Sequence, residues 1–386
     1  MAGVRYDVVV IGAGVFGAWT ALQLRRREAR VLLLDAHAPG HSRSSSGGET
    51  RVIRAGYGPD EIYTRMSLRS LALWREHFAR RGEGHLLTET GVLWLARGRD
   101  DALVTSTRAT LERVGVGVER LERAELARRF PQFDFAPFAW AAFERGAGVL
   151  LARRAVQSVV GEFAGGEGGE YRRAQVASPR GAGRLNSIST SDGVRVDADA
   201  FVFACGPWLP KLFPELLGER IHTSRQEVFF FGTPAGDANF APPLMPAWID
   251  FGAEVYGIPD LEGRGLKVAL DRHGAEVDPD AEERAVTPEV LAEVRAYVAE
   301  RFPSMRGAPL VESRVCQYEN TSNGDFLIDR HPGFENVWLA GGGSGHGFKH
   351  GPAVGDYAAG LVLGGQATEP RFALATKEKL RRRTVF

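Results

Sequence analysis

The chain has 386 residues, 44% hydrophobic and 25% charged, and its 48 Lys and Arg balance 48 Asp and Glu to a formal net charge of +0. That length exceeds one ordinary core, so two domains are expected, and the charge balance excludes the whole-chain footprint of a nucleic-acid or anionic-membrane binder. The two cysteines, Cys205 and Cys316, fit neither a zinc site nor a disulfide framework, and no apolar run reaches roughly 18 residues; no metal, no membrane span and a reducing cytoplasmic setting are the expectations.

Residues 6–11 (YDVVVI) form a β-branched apolar run, the pattern of a buried parallel strand. Glycines follow at once, which is not the layout of a signal peptide. An amphipathic helix is expected over 16–27, and a second apolar run at 31–34 ends on Asp35. In the middle of the chain, strands are expected at 91–96, 226–231, 254–258 and 265–270, with a helix over 288–302. Residues 163–186, rich in Gly, Arg, Ser and Glu, read as an exposed loop or irregular hairpin. Short strands are expected after it at 194–196 and 200–204. Near the other end, strands at 326–329 and 336–340 lead to a glycine-rich turn and a helix over 353–363. The chain thus opens and closes on dinucleotide-fold signals and carries mixed β structure between them.

The strongest local signal is Gly12-Ala-Gly14-Val-Phe-Gly17, a G-x-G-x-x-G between the first strand and the first helix. Gly12 permits the tight turn, Gly14 lets backbone approach a pyrophosphate, and Gly17 lets the helix pack on the sheet. The helix N-terminus offers N–H groups and partial positive charge to phosphate. Asp35 stands near the spacing of a carboxylate for the adenosine ribose. These features read as a dinucleotide site, with FAD or NAD still open.

Four further motifs, in order along nearly the whole chain, narrow the reading. They are Ser45 to Gly58 (SSGGETRVIRAGYG), Gly206-Pro-Trp208, Cys316-Gln-Tyr318 followed by Phe326-Leu-Ile-Asp329, and Gly343-Ser-Gly-His346-Gly-Phe-Lys349. Together they resemble the monomeric sarcosine oxidase family, among the D-amino-acid-oxidase-like flavoproteins. The resemblance implies an α/β fold, α+β overall. A Rossmann-like FAD-binding domain (1–89, 150–222, 325–386) is interleaved with a substrate domain of mixed or antiparallel sheet (90–149, 223–324). It implies a monomer that uses FAD, an amino acid substrate and O2. Hydride passes from the carbon beside a secondary amine to flavin N5, the imine hydrolyses, and O2 leaves as H2O2. The cofactor carries the redox chemistry, and the protein holds and orients the substrate.

The resemblance also assigns residues. Arg54 and Lys349 are the expected carboxylate clamp, a planar fork and a second cation; the bland alternative is a pair of surface cations. Arg51 is expected against the flavin, with an ion pair to Glu49 as its alternative. Lys267 is expected near flavin N5 to activate oxygen, unless it simply faces solvent. Cys316 is expected to carry flavin covalently, unless it is a small buried hydrophobe. Tyr256 and Tyr318 are expected in the substrate pocket. Ser45, Thr50, Gly206, Gly343, Gly345, His346 and Gly347 are expected around the cofactor, with Gly341 to Gly345 offering N–H groups to the ring edge. Cys205 is expected in the core. Two departures bear on substrate: Asp271 and Gly47 stand where sarcosine oxidases have histidines, which puts sarcosine itself in doubt. Three other readings stay open: a dehydrogenase passing electrons to a quinone or protein, a flavin-binding subunit without catalysis, and an NAD enzyme on the same fingerprint.

Overall fold

The computed structural model describes residues 5–281 and 283–379. Its first sheet has a parallel core in the order Val337–Gly341, Arg195–Phe203, Tyr6–Ile11, Val31–Asp35, Gly169–Arg173. Leu327–Arg330 closes one edge as an antiparallel hairpin on Val337–Gly341, and Ser187–Ser189 pairs back on Arg195–Phe203. The central strands Tyr6–Ile11, Val31–Asp35 and Val337–Gly341 are apolar on both faces because helices cover one side and the 174–221 segment with its neighbours covers the other. The helix Val15–Arg25 sits against Gly351–Val362 and Ala152–Ala164. Two glycines make the first of these contacts possible. A Cβ on Gly355 would fall 2.5 Å from the carbonyl carbon of Trp19, and one on Gly351 2.3 Å from Val15 Cγ2.

A second, eight-stranded sheet runs in the order Leu310–Thr321, Ile221–Phe231, Leu266–Leu270, Val255–Ile258, Ala247–Asp250, Val92–Ala96, Trp140–Glu144, Val118–Glu122. All its pairings are antiparallel except that of Ala247–Asp250 with Val92–Ala96. One face buries Phe133, Phe138, Trp248, Phe302 and Met305 beneath Pro288–Arg301. A small third sheet pairs Gly148–Leu151 with both Thr50–Ile53 and Leu87–Thr88.

The 163–186 stretch differs from expectation. It contains the strand Gly169–Arg173, paired in parallel with Val31–Asp35, and the pieces expected at 194–196 and 200–204 are one continuous strand, Arg195–Phe203. The long helix Glu61–Arg81, which no expectation named, ends on Gly82 in the left-handed conformation and packs on Gly351–Val362. Among the described residues no helix is long and apolar enough to cross a membrane.

Candidate active site

The fingerprint turn is sterically determined. Gly12 has φ +104°, and a Cβ there would lie 2.3 Å from the Ala204 carbonyl oxygen; a Cβ on Gly17 would lie 1.8 Å from Gly12 O. Gly14 is different, since its Cβ would meet only Ser46 Oγ at 3.5 Å, which leaves its cavity side open to a ligand. Ser46 accepts a hydrogen bond from Val15 N at 3.0 Å and so caps the helix from outside. Asp35 accepts from Ala13 N at 2.7 Å through one oxygen and from His37 N at 2.8 Å through the other. A carboxylate has lone pairs beyond these two bonds, and Asp35 lines the cavity.

That cavity, about 500 Å³, runs from Asp35, His37 and Val176 past Gly12 to Val15, then between Cys205 to Trp208 and Gln317 to Glu319. It reaches Arg51, Ser45, Gly343, Gly345, Gly347 and Phe348 at its far end. Such an elongated cleft at the carboxyl ends of parallel strands is where open α/β sheets take dinucleotides. The residues present fit FAD: the phosphate turn, the acidic residue and the glycine loop lie along one cleft. Gly206 (φ +53°) and Gly345 (φ +80°) take left-handed backbone there, and a Cβ on Gly345 would meet the Tyr318 ring at 2.7 Å. Cys205, expected in the core, lines this cleft, with its thiol directed to Ile11 O at 3.4 Å.

The second cavity, about 350 Å³, shares Ser44, Arg51 and Tyr318 with the first and is lined by Lys267, Tyr256 and Cys316. Strand register explains the grouping. Tyr256 pairs with Ala269, so Lys267, two residues away, projects from the same face. The Lys267 ammonium lies 5.5 Å from the centre of the Tyr256 ring and donates to Thr50 O at 3.1 Å. It is 2% exposed, which removes the solvent-facing alternative; burial, then neighbouring Arg51, hold its pKa well below the ordinary lysine value. Arg51 donates to Ser45 O at 2.7 Å and Thr50 O at 2.8 Å and reaches Cys316 Sγ at 3.4 Å. Its ion pair with Glu49 does not form. Glu49 instead pairs with Arg314 at 2.8 Å and Arg153 at 3.3 Å.

Arg54 and Lys349 come from segments almost three hundred residues apart and meet over one ring. The Arg54 guanidinium carbon stands 4.6 Å from the Tyr57 ring centre and the Lys349 ammonium 5.0 Å from it. Both side chains are buried, so neither is a surface cation. Burial, then Arg54, lower the Lys349 pKa well below its ordinary value, with Asp271 and Glu144 opposing. The Asp271 charge acts on Tyr57, Tyr256, Tyr318 and Lys349, raising the pKa of each. The ring of His346 packs against Phe326 and Tyr63, and its carbonyl accepts from Lys349 Nζ at 3.0 Å.

Further contributors support the clamp, Glu144 and Trp94 from outside any motif. Buried Glu144 accepts from Ala55 N at 2.6 Å, Gly56 N at 3.3 Å and Trp94 Nε1 at 3.3 Å, and so pins the loop that follows Arg54. Arg54 also lies 4.6 Å from the Trp94 ring centre. The Tyr57 hydroxyl bonds His350 Nε2 at 2.6 Å and His346 Nδ1 at 3.1 Å, which fixes the ring beneath both cations. The one sequence signal for Glu144 was a carboxylate closing the apolar run WAAFE.

Comparison with known proteins agrees with this geometry. The FAD dependent oxidoreductase family matches residues 7–361. Monomeric sarcosine oxidase of Bacillus sp. (strain B-0618) is 32% identical over 407 residues, covering 99% of each chain. N-methyl-L-tryptophan oxidase of Salmonella newport (strain SL254) is 29% identical, covering 93% of this chain and 95% of that one. The crystal structure of L-proline dehydrogenase from P. horikoshii superposes with a TM-score of 0.82 at 20% identity, over 96% and 97% of the two chains. With a sterically determined dinucleotide turn and two buried cations over one tyrosine already in place, the chain belongs to the FAD dependent oxidoreductases, in the group of the monomeric sarcosine oxidases, and FAD is its cofactor.

Proposed function

We propose that this enzyme is an oxidase of a secondary amino acid, N-alkyl or cyclic, with O2 as electron acceptor. The observation that carries the reading is the convergence of Arg54 and Lys349 over Tyr57, together with a cavity that Tyr256, Tyr318, Arg51 and Lys267 line in common. The curated relatives above act, by name, on sarcosine and N-methyl-L-tryptophan, both N-methyl amino acids.

Bound FAD supplies the two-electron redox chemistry. Arg54 and Lys349 bind the substrate carboxylate, and their fixed positions orient the carbon–hydrogen bond next to the amine. Tyr256 and Tyr318 wall the pocket, and their phenols stay protonated because burial raises both pKa values. The substrate loses a hydride from carbon and a proton from nitrogen; water then splits the imine into an amine and a carbonyl compound. Two electrons and two protons reduce O2 to H2O2, and the buried Lys267 ammonium stabilises the negative charge that develops on oxygen. Arg51, which lines both cavities, ties Ser45, Thr50 and Cys316 together. Its contact holds the Cys316 sulfur at 3.4 Å, where a thioether to bound flavin would form. Asp271 beside the clamp adds negative charge, which favours a substrate larger or more cationic than sarcosine. A monomer in a reducing cytoplasm suits two free cysteines.

Turnover of a panel of secondary amino acids under air, scored for peroxide and for reduction of an artificial dye, tests the reading. Peroxide equal to substrate consumed is expected. Dye reduction with no peroxide would replace the oxidase by a dehydrogenase.

A further inference from the structure

The strand Leu310–Thr321 presents alternate residues to opposite faces. Cys316 and Tyr318 point toward the second cavity, while Gln317 and Glu319 belong to the wall of the dinucleotide cleft. Gln317 is 0% exposed, and neither its amide oxygen nor its amide nitrogen has a hydrogen-bond partner within the protein. Glu319 is 8% exposed. One carboxylate oxygen accepts a 3.4 Å bond from Gly343 N, and the other is buried with no partner. Backbone N–H groups of Gly342 and Gly343, rather than a cation, offset this carboxyl, and burial pushes its pKa up to about 7. Buried polar atoms without partners are costly, and two such side chains side by side in a cleft wall require a polar occupant.

The place of the pair along the cleft identifies which part of the cofactor that is. At one side stand Gly12 and Cys205, where the phosphate turn meets the sheet. At the other are Gly343, Gly345 and Phe348, the loop at the ring end. Between phosphate and ring FAD has only its ribityl chain. A diphosphate offers acceptors alone and would repel Glu319, whereas the ring edge is chiefly acceptors. Ribityl hydroxyls both donate and accept, which matches a carboxyl and a primary amide.

We propose that Gln317 and Glu319 form the ribityl-binding floor of the FAD cleft, with Glu319 accepting a hydrogen bond from a ribityl hydroxyl. The strand thereby serves the ring on one face, through Cys316 and Tyr318, and the polyol on the other.

The test uses the full chain in a Cys316→Ala background, so that flavin binding is reversible. Dissociation constants of FAD, and of FAD analogues lacking one ribityl hydroxyl at a time, are measured by flavin fluorescence for the parent, Gln317→Leu, Glu319→Leu and Glu319→Gln. Each Leu variant should bind FAD roughly tenfold more weakly. That penalty should vanish with one particular deoxy analogue, because the hydroxyl it serves is gone. Glu319→Gln, which keeps an acceptor, should recover most of the affinity. An equal penalty for FAD and every analogue would overturn the proposal, as would Leu variants that bind FAD like the parent. Where a Leu variant fails to fold, Glu319→Gln and the parent decide: a parent that binds all analogues as tightly as FAD has no ribityl contact to assign.

Discussion

Lys267 is a lysine in a strand whose five residues are all buried. Its lowered pKa means that the ammonium is lost at a pH well under the ordinary lysine value. The sign follows from the role: the charged form stabilises charge on oxygen, so reoxidation of the reduced enzyme should slow as pH rises through that lowered value. Lys267→Met should be slower by a factor of about 100 to 1,000 in this step and should lose the pH dependence, while reduction by substrate changes little. Stopped-flow measurement of the two half-reactions separates them, and equal slowing of both would rule out the assignment. At the same scale, motif spacing made Arg54, Lys349 and Lys267 legible as candidates, but not their distances. It could not show that Arg51 would ignore Glu49, because three other arginines compete for that carboxylate.

The clamp depends on elements as much as on cations. The Trp140–Glu144 strand places Glu144 under the 54–58 loop, and Thr107 of the helix Ala102–Arg113 bonds Gly58 N at 2.9 Å. Removing the carboxylate leaves the buried Ala55 and Gly56 N–H groups unpaired, at a cost of about 1–3 kcal/mol each. Glu144→Ala should therefore raise KM for the amino acid by at least tenfold and lower Tm, with the FAD spectrum retained. Steady-state kinetics and calorimetry check both. Gly17→Ala tests the opposite end of the cleft: its methyl would overlap Gly12 O, so the helix must move off the turn at about 1–3 kcal/mol. The purified variant should contain substoichiometric FAD by absorbance. Elements with a strict period were readable, as with the opening βαβ unit. Gly169–Arg173 was not, because an edge strand with Glu170, Arg172 and Arg173 carries no apolar run and owes its conformation to pairing with Val31–Asp35.

For the molecule as a whole, the cofactor cleft is lined by residues of both large sheets, Asp35 and Ala340 from the first, Gln317 and Tyr318 from the second. A ligand that binds only when both are assembled stabilises the native state by mass action, about 4 kcal/mol at a thousandfold excess over its Kd. In the Cys316→Ala background, adding FAD to apoprotein should raise Tm by several degrees and make unfolding by near- and far-ultraviolet dichroism coincide. No shift with FAD would contradict a cleft built across the two sheets. The interleaving was foreseeable, since fingerprint and glycine-rich loop stood at opposite ends of the sequence with β structure between. The three-stranded sheet that carries Arg51 was not, because Thr50–Ile53 pairs with Gly148–Leu151, a hundred residues on.

The parallel sheet takes its Arg195–Phe203 neighbour, Val337–Gly341, from near the end of the chain. A ribosome making this protein has therefore released the phosphate turn long before it emits the strand and the glycine loop that complete the cleft. Cofactor loading must be a late event of biogenesis, and a nascent chain stalled ahead of residue 337 should stay colourless in the presence of FAD.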